Sequence, residues 1–127
     1  MKLLLDTHIL IWWMTDSSYL STATKQIIRE TSDIFVSAAS IWEIAIKRSR
    51  GDLKMLDEID IQKDISDESL ITELPITWWH ALAVGGLPYH HKDPFDRVLV
   101  AQAQVEGLTL VTRDAAIQKY DVALLPA

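Results

Sequence analysis

The sequence predicts an α/β protein, a three-layer sandwich with helices on both faces of a short, mostly parallel central sheet. Short runs of Leu, Ile and Val alternate along the chain with helical patterns, the order that right-handed strand–helix–strand crossovers require. The first run, KLLLD at 2–6, is almost continuously apolar, as a strand covered on both faces must be. At 127 residues the chain suits one domain, 1–127, with a real core, and is short for two.

The elements follow in order. After the first strand, THILIWWM at 7–14 reads as a helix with Thr7 as a candidate cap. A second helical stretch, Ser21 to Thr31, carries Ile27 and Ile28 on its apolar side. DIFVS at 33–37 is β-branched and aromatic, hence the second strand. SAASIWEIAIKRSRG is a helix stopped by Gly51. The acidic stretch 57–68 reads as a solvated helix, LITEL at 70–74 as a strand, and ITWWHALAVGG as a helix ended by two glycines. In HHKDPFDRVLVAQA at 90–103, Asp93 is the N-cap of the next helix. Pro94 takes the first helical position, where its missing N–H costs nothing, and Asp96 the third, where an acid meets the positive helix end. Gly107 closes that helix, LTLVT at 108–112 is a strand, DAAIQKY a short helix and VALL at 122–125 the last strand. No repeat, linker or low-complexity segment interrupts the series.

Composition excludes several classes. With 49% hydrophobic and 24% charged residues the chain belongs among folded domains. The absence of cysteine rules out disulfides, thiolate metal sites and a Cys nucleophile, and fits a reducing compartment, with the cytoplasm as the default. MKLLLD is too short for a secretory segment and ILIWWM at 9–14 cannot span a bilayer, so no membrane role is expected. The net charge of −6 argues at first against a polyanionic partner, but its distribution matters. Positions 57–73 hold seven acids and one base, and the remaining chain is neutral, with Lys47, Arg48, Arg50 and Lys54 its densest basic patch. An anionic substrate is therefore permitted.

In open α/β sheets function collects beyond the carboxyl ends of the strands. Asp6 ends the first strand and Asp114 follows LTLVT through the turn TRD; either could simply cap a helix. Glu43 lies among Ile41, Trp42, Ile44, Ala45 and Ile46 on a helix expected to pack on the sheet, where a carboxylate needs a cation or hydrogen bonds. Its ordinary partner is Lys47, one turn on. Asp96 shares a face with Val100 and Ala103, which the cap role alone does not explain. The fold thus places Asp6, Glu43, Asp96 and Asp114 along one sheet edge. Such carboxylates would repel one another unless neutralised, and oxygen-only ligation fits Mg²⁺ or Mn²⁺, one or two ions. The chemistry implied is phosphodiester hydrolysis.

Four segments, LLLDTHILIWW at 3–13, SAASIWEIAIK at 37–47, HHKDPFDRVLVAQA at 90–103 and LTLVTRDAAIQKY at 108–120, together resemble the PIN-domain ribonucleases, most closely the toxins of the VapBC toxin-antitoxin type. The resemblance implies a PIN-like, Rossmann-like fold and an acidic metal-binding and catalytic quartet of Asp6, Glu43, Asp96 and Asp114. Asp93 and Thr112 stand as supporting positions. It further implies an Mg²⁺- or Mn²⁺-dependent endoribonuclease acting on RNA, a homodimer, and a cognate antitoxin that lays a peptide across the active groove. Arg97 and Arg113, beside the presumed ligands, are the best candidates for RNA phosphate contact; Lys47, Arg48 and Arg50 are a basic helix end that could guide RNA.

Other residues read more plainly. His90 and His91 are expected to be surface or substrate contacts rather than ligands, since adjacent histidines seldom hold one ion. His8 and His80 read as core or rim groups. Neighbouring Trp12/Trp13 and Trp78/Trp79 point about 100° apart on a helix, so one of each pair is expected to stay partly exposed for a dimer or antitoxin groove, with core packing the equal alternative. A phosphoacceptor receiver domain would need paired acids after the first strand and an acceptor Asp after the third, which ITELP lacks; a dehalogenase-type phosphatase would need Asp at position 8, which is His. A non-catalytic binding or regulatory domain, whose acids are helix caps, stays open: it expects Glu43 to pair with Lys47 and the four acids to lie apart.

Overall fold

The computed structural model describes residues 1–67 and 71–127; Glu68 and Leu70, the ends of two expected elements, lie outside them. In chain order the elements are β1 (Lys2–Leu5), α1 (Thr7–Met14), α2 (Thr22–Glu30), β2 (Asp33–Ser37), α3 (Ala38–Ser49), α4 (Ile61–Asp67), β3 (Ile71–Leu74), α5 (Trp78–Val84), α6 (Pro94–Glu106), β4 (Thr109–Thr112) and β5 (Leu124–Pro126), with 3₁₀ turns at Lys54–Leu56 and Ile117–Lys119. The strands pair in the order β3-β2-β1-β4-β5, every pairing parallel.

Successive strand residues face opposite sides of a sheet, and β1 shows why an all-leucine strand is needed at the centre. Leu3 and Leu5 pack with Ile9, Leu10, Ile28 and Ile44 in one core, while Leu4 packs with Leu99, Val100 and Leu110 in the other. The three layers follow. Because β1 has β2 on one side and β4 on the other, chain direction across the sheet reverses there, and the gap beyond its carboxyl end is the place such a sheet offers for a site.

Most boundaries fall where local chemistry puts them. Gly107 at φ +67° and Gly51 at φ +76° take the left-handed conformation that ends α6 and α3 and disfavours other residues. The first helix is capped by Asp6, not Thr7: the Asp6 side chain accepts from the Thr7 N–H. Three expectations need correction. DAAIQKY does not form a helix beyond the turn at Ile117–Lys119, because the Asp114 side chain draws the Ala116 and Ile117 N–H groups into a tight turn. The last strand begins at Leu124, since the Val122 N–H is spent on Tyr120 O. In the acidic stretch the helix starts only at Ile61, with Asp60 accepting from the Lys63 N–H, and it is not wholly solvated. Its Ile61 and Ile65 line an apolar groove of about 820 Å³ with Ile41, Ile44 and Ala45 of α3.

Candidate acidic site

That apolar groove contains none of the expected site acids. The expected acids gather at the carboxyl ends of β1 and β4. Leu5 and Val111 are paired in register, so the next residues of the two strands, Asp6 and Thr112, emerge side by side. Thr112 Oγ1 donates to Asp6 Oδ2 at 2.8 Å and accepts from the Asp114 N–H at 3.0 Å, joining the two acids through one hydroxyl. Asp6 Oδ1 is the α1 cap, 2.7 Å from the Thr7 nitrogen, and the Thr7 hydroxyl donates to the buried Ser40 hydroxyl of α3 at 3.0 Å. That contact fixes α3, and with it Glu43, against the start of α1.

The first turn of α6 closes the site from the other side. Asp93 caps it, accepting from the Phe95 N–H at 2.8 Å, and Pro94 takes the first position. Asp96 does no capping. Its Oδ2 sits 3.0 Å from His91 Nε2, which is also 3.0 Å from Asp114 Oδ2. The three side chains bring one potential ligand atom each to within 4.8 Å of one another. Glu43 is 3% exposed; its Oε2 accepts from Lys47 Nζ at 2.7 Å, while its buried Oε1 has no hydrogen-bond partner among the described residues.

The electrostatics describe a cluster short of positive charge. Burial, then the charges of Asp6, Asp93 and Glu43, push the Asp96 carboxyl up to about 8 against the pull of His91. Burial also raises Asp6, over the hydrogen bonds from Thr112 and Thr7. Burial would raise Asp114 as well, but hydrogen bonds from His91 and the Ala116 and Ile117 N–H groups outweigh it and hold the carboxyl low. Lys47 is raised chiefly by its hydrogen bond to Glu43, against burial, with the Asp93 and Asp96 charges adding to it. Acids at three element ends, an unpartnered buried carboxylate oxygen on a fourth and an oxygen-rich donor set fit a hard divalent cation.

The structure sorts the expected residues. Asp6, Asp96 and Asp114 converge around Thr112 and His91. Glu43 and Asp93 lie close enough for their charges to act on Asp96. Glu43 does pair with Lys47, as the non-catalytic reading expects, but the acids do not lie apart. Arg97 is removed from the candidates for phosphate contact: it is 6% exposed, and its guanidinium donates to the carbonyls of Val84, Leu87 and Pro88 and to the Tyr120 hydroxyl. Arg113 is likewise occupied, donating to Ala127 O and Tyr19 O and stacking over Trp12. The cations that do border the site line a smaller groove of about 340 Å³, where Lys47, Arg50 and Lys92 meet Glu43, Asp93 and Phe95.

His91 is not the surface contact its neighbourhood suggested; it stands in the middle of the acids, while His90 packs edge-on against Tyr120. The sequence signal was its place two residues before a cap whose helix carries Asp96 in its first turn, masked by the adjacent His90. His80 is fully buried and joins Thr77 in a capping box, whereas His8 is exposed. Both Trp78 and Trp79 are exposed rather than one, beside Leu82 on α5, and both Trp12 and Trp13 are half-buried.

The family model of the PIN domain matches residues 3–123. Ribonuclease VapC22 of Mycobacterium tuberculosis (strain ATCC 25618 / H37Rv) is 27% identical over 119 residues, covering 92% of this chain and 90% of that protein. The crystal structure of DNA-bound VapBC from Salmonella typhimurium superposes with a TM-score of 0.72 at 16% identity, over 99% of this chain and 98% of that one. FitAcB from Neisseria gonorrhoeae superposes with a TM-score of 0.66 at 18% identity, over 97% and 96%. At those identities the structural likeness concerns the fold.

Proposed function

The chain belongs to the PIN domain family, and from that premise we propose that it is a metal-dependent endoribonuclease, hydrolysing RNA phosphodiester bonds as the toxin of a toxin-antitoxin pair. One observation carries the chemistry: Asp96 and Asp114, from the ends of α6 and β4, meet at His91, Asp6 at the end of β1 is joined to Asp114 through Thr112, and the charges of Asp6 and Glu43 act on Asp96. These four would hold Mg²⁺ or Mn²⁺, one or two ions, with Thr112 orienting Asp6 and Asp114 and Asp93 supporting from the cap. Bound there, the cation supplies Lewis acidity that activates an attacking water and offsets charge on the phosphate. The protein's own groups hold the carboxylates in place, pair Glu43 with Lys47, and offer Lys47, Arg50 and Lys92 along the adjoining groove to RNA phosphates.

The toxin role is supported by the similarity to Ribonuclease VapC22 and by the structural likeness to the toxin-antitoxin complexes. The cognate antitoxin is the expected protein partner, and the exposed Trp78, Trp79 and Leu82 supply a surface for a homodimer. No described helix is long and apolar enough to cross a membrane, and the cysteine-free sequence fits the cytoplasm as the place of action. The competing non-catalytic reading accounts for Asp6 and Asp93 as caps and for the Glu43–Lys47 pair. It leaves Asp96 and the unpartnered Glu43 Oε1 without a reason.

The test is cleavage of RNA by purified protein with Mg²⁺ or Mn²⁺. Activity is expected to vanish with EDTA, return on adding metal, and fall at least about 100-fold in Asp6→Asn, the scale on which single electrostatic groups in active sites count. Full activity in EDTA or in the variant would defeat the proposal.

A further inference from the structure

The histidine at the centre of the acids has a hydrogen-bond arrangement that decides its role. Its Nδ1 lies 3.0 Å from the Asp93 backbone nitrogen, whose N–H points at it. A backbone N–H can only donate, so Nδ1 presents its lone pair, and the neutral ring carries its proton on Nε2. If the ring is charged instead, Nε2 is protonated as well. The tautomer that would free Nε2 to bind a metal needs a proton on Nδ1, and the Asp93 N–H opposes it. In either charge state Nε2 is therefore a donor: it hydrogen-bonds Asp114 Oδ2 at 3.0 Å, and Asp96 Oδ2 lies 3.0 Å from the same nitrogen as a charge contact.

The backbone that carries the ring is also braced. The His91 N–H donates to the Tyr120 hydroxyl at 2.9 Å, and the same hydroxyl accepts from Arg97 Nη1 at 3.2 Å. Tyr120 is buried. The Asp93 N–H thus holds the imidazole itself, while a buried phenol and a buried guanidinium hold the backbone from which it projects. Nothing in the fold of α6 requires this, because the helix is already capped by Asp93.

We propose that His91 is a positioning residue of the cation site: its Nε2–H fixes the Asp114 carboxylate beside Asp96, whose Oδ2 lies 3.0 Å from the same nitrogen, so that one divalent ion can bridge the two acids without His91 itself becoming a ligand. This rests on the reading of the acids as a cation site. Ligand oxygens about 2.1 Å from one Mg²⁺ stand roughly 3–4 Å apart, and two carboxylates left alone at that range repel. Thr112 fixes the Asp6 carboxylate while accepting from the Asp114 backbone N–H. Each carboxylate oxygen has two lone pairs, so a donor and a cation can share it. Groups of this kind around a metal typically change its affinity 10- to 100-fold, an order-of-magnitude guide.

The experiment is Mn²⁺ binding by titration calorimetry to the full chain and to His91→Leu and His91→Gln, with circular dichroism as the check on folding. Gln can carry an N–H to the place of Nε2; Leu cannot. The expected result is Mn²⁺ affinity about 10- to 100-fold weaker in His91→Leu and largely restored in His91→Gln. Unchanged or tighter binding in a folded His91→Leu overturns the proposal, as does a His91→Gln as weak as His91→Leu. No Mn²⁺ binding by the unsubstituted protein would overturn the cation site itself, which separates the two failures. Should His91→Leu not fold, ¹⁵N spectra of the imidazole in the unsubstituted protein decide the matter. His91 Nε2 is expected to stay protonated at saturating Mg²⁺, and conversion to an unprotonated, metal-bound nitrogen would overturn the assignment.

Discussion

Asp96 sits at the third position of α6, where an acid favours the helix dipole, yet its carboxyl is pushed up to about 8 by burial and by the neighbouring acids. Burial and repulsion outweigh the dipole there. An unfolded Asp titrates near 3.9, about four units lower. Between those values the native chain holds a proton that the unfolded chain lacks, so the contribution of Asp96 to stability falls as pH rises from about 4 to about 8. The raised Asp6 acts in the same direction, while the lowered Asp114 contributes stability above its unfolded pKa that is lost only in more acidic solution. The metal-free protein should accordingly melt at a higher temperature near pH 5.5 than near pH 8, and Asp96→Asn should flatten that difference. An equal slope in the variant, followed by differential scanning calorimetry, would contradict the assignment. At this scale the sequence was readable where a residue's role is local: Asp6 and Asp93 as caps, Glu43 with Lys47. His91 was not, since its meaning comes from Asp114, 23 positions away.

At the scale of elements, the loop between α5 and α6 depends on Arg97. In sequence it stands beside an acid and invites a phosphate; in the fold the carbonyls of Val84, Leu87 and Pro88 turn back over it. Arg97→Ala removes the guanidinium from the Leu87 and Pro88 carbonyls, while Val84 O keeps the Leu87 N–H, and it empties a buried site; a buried carbonyl left without a donor costs about 1–3 kcal/mol. With partial access of water the substitution should destabilise the protein by about 2–4 kcal/mol in urea unfolding. A change within about 0.5 kcal/mol, the scale of a surface substitution, with weakened RNA binding would restore the phosphate contact that the sequence suggested. The ends of α3 and α6 were legible because glycine is the residue that tolerates positive φ there. The turn at Ile117–Lys119 was not, because the hydrogen bonds that shape it come from an Asp with two roles, turn former and site acid.

For the whole molecule, the sheet order was the part least available from pattern. Alternating strands and helices predicted a parallel sheet, but only the pairing β3-β2-β1-β4-β5 puts Asp6 and Thr112 on adjacent strand ends. The net charge misleads as well: the acidic surplus falls in one stretch of sequence, 57–73, while Lys47, Arg50 and Lys92 border the groove beside the site. Repulsion among Asp6, Asp96, Asp114 and Glu43 is tolerable in such a fold only with a compensating charge. The most direct measurement is therefore anomalous diffraction from crystals of the protein equilibrated with Mn²⁺. The account predicts an anomalous peak about 2–2.5 Å from carboxylate oxygens of Asp6, Asp96 and Asp114, with His91 Nε2 outside the coordination shell. A saturated crystal with no peak at those acids, or with Mn²⁺ bound elsewhere, would contradict it.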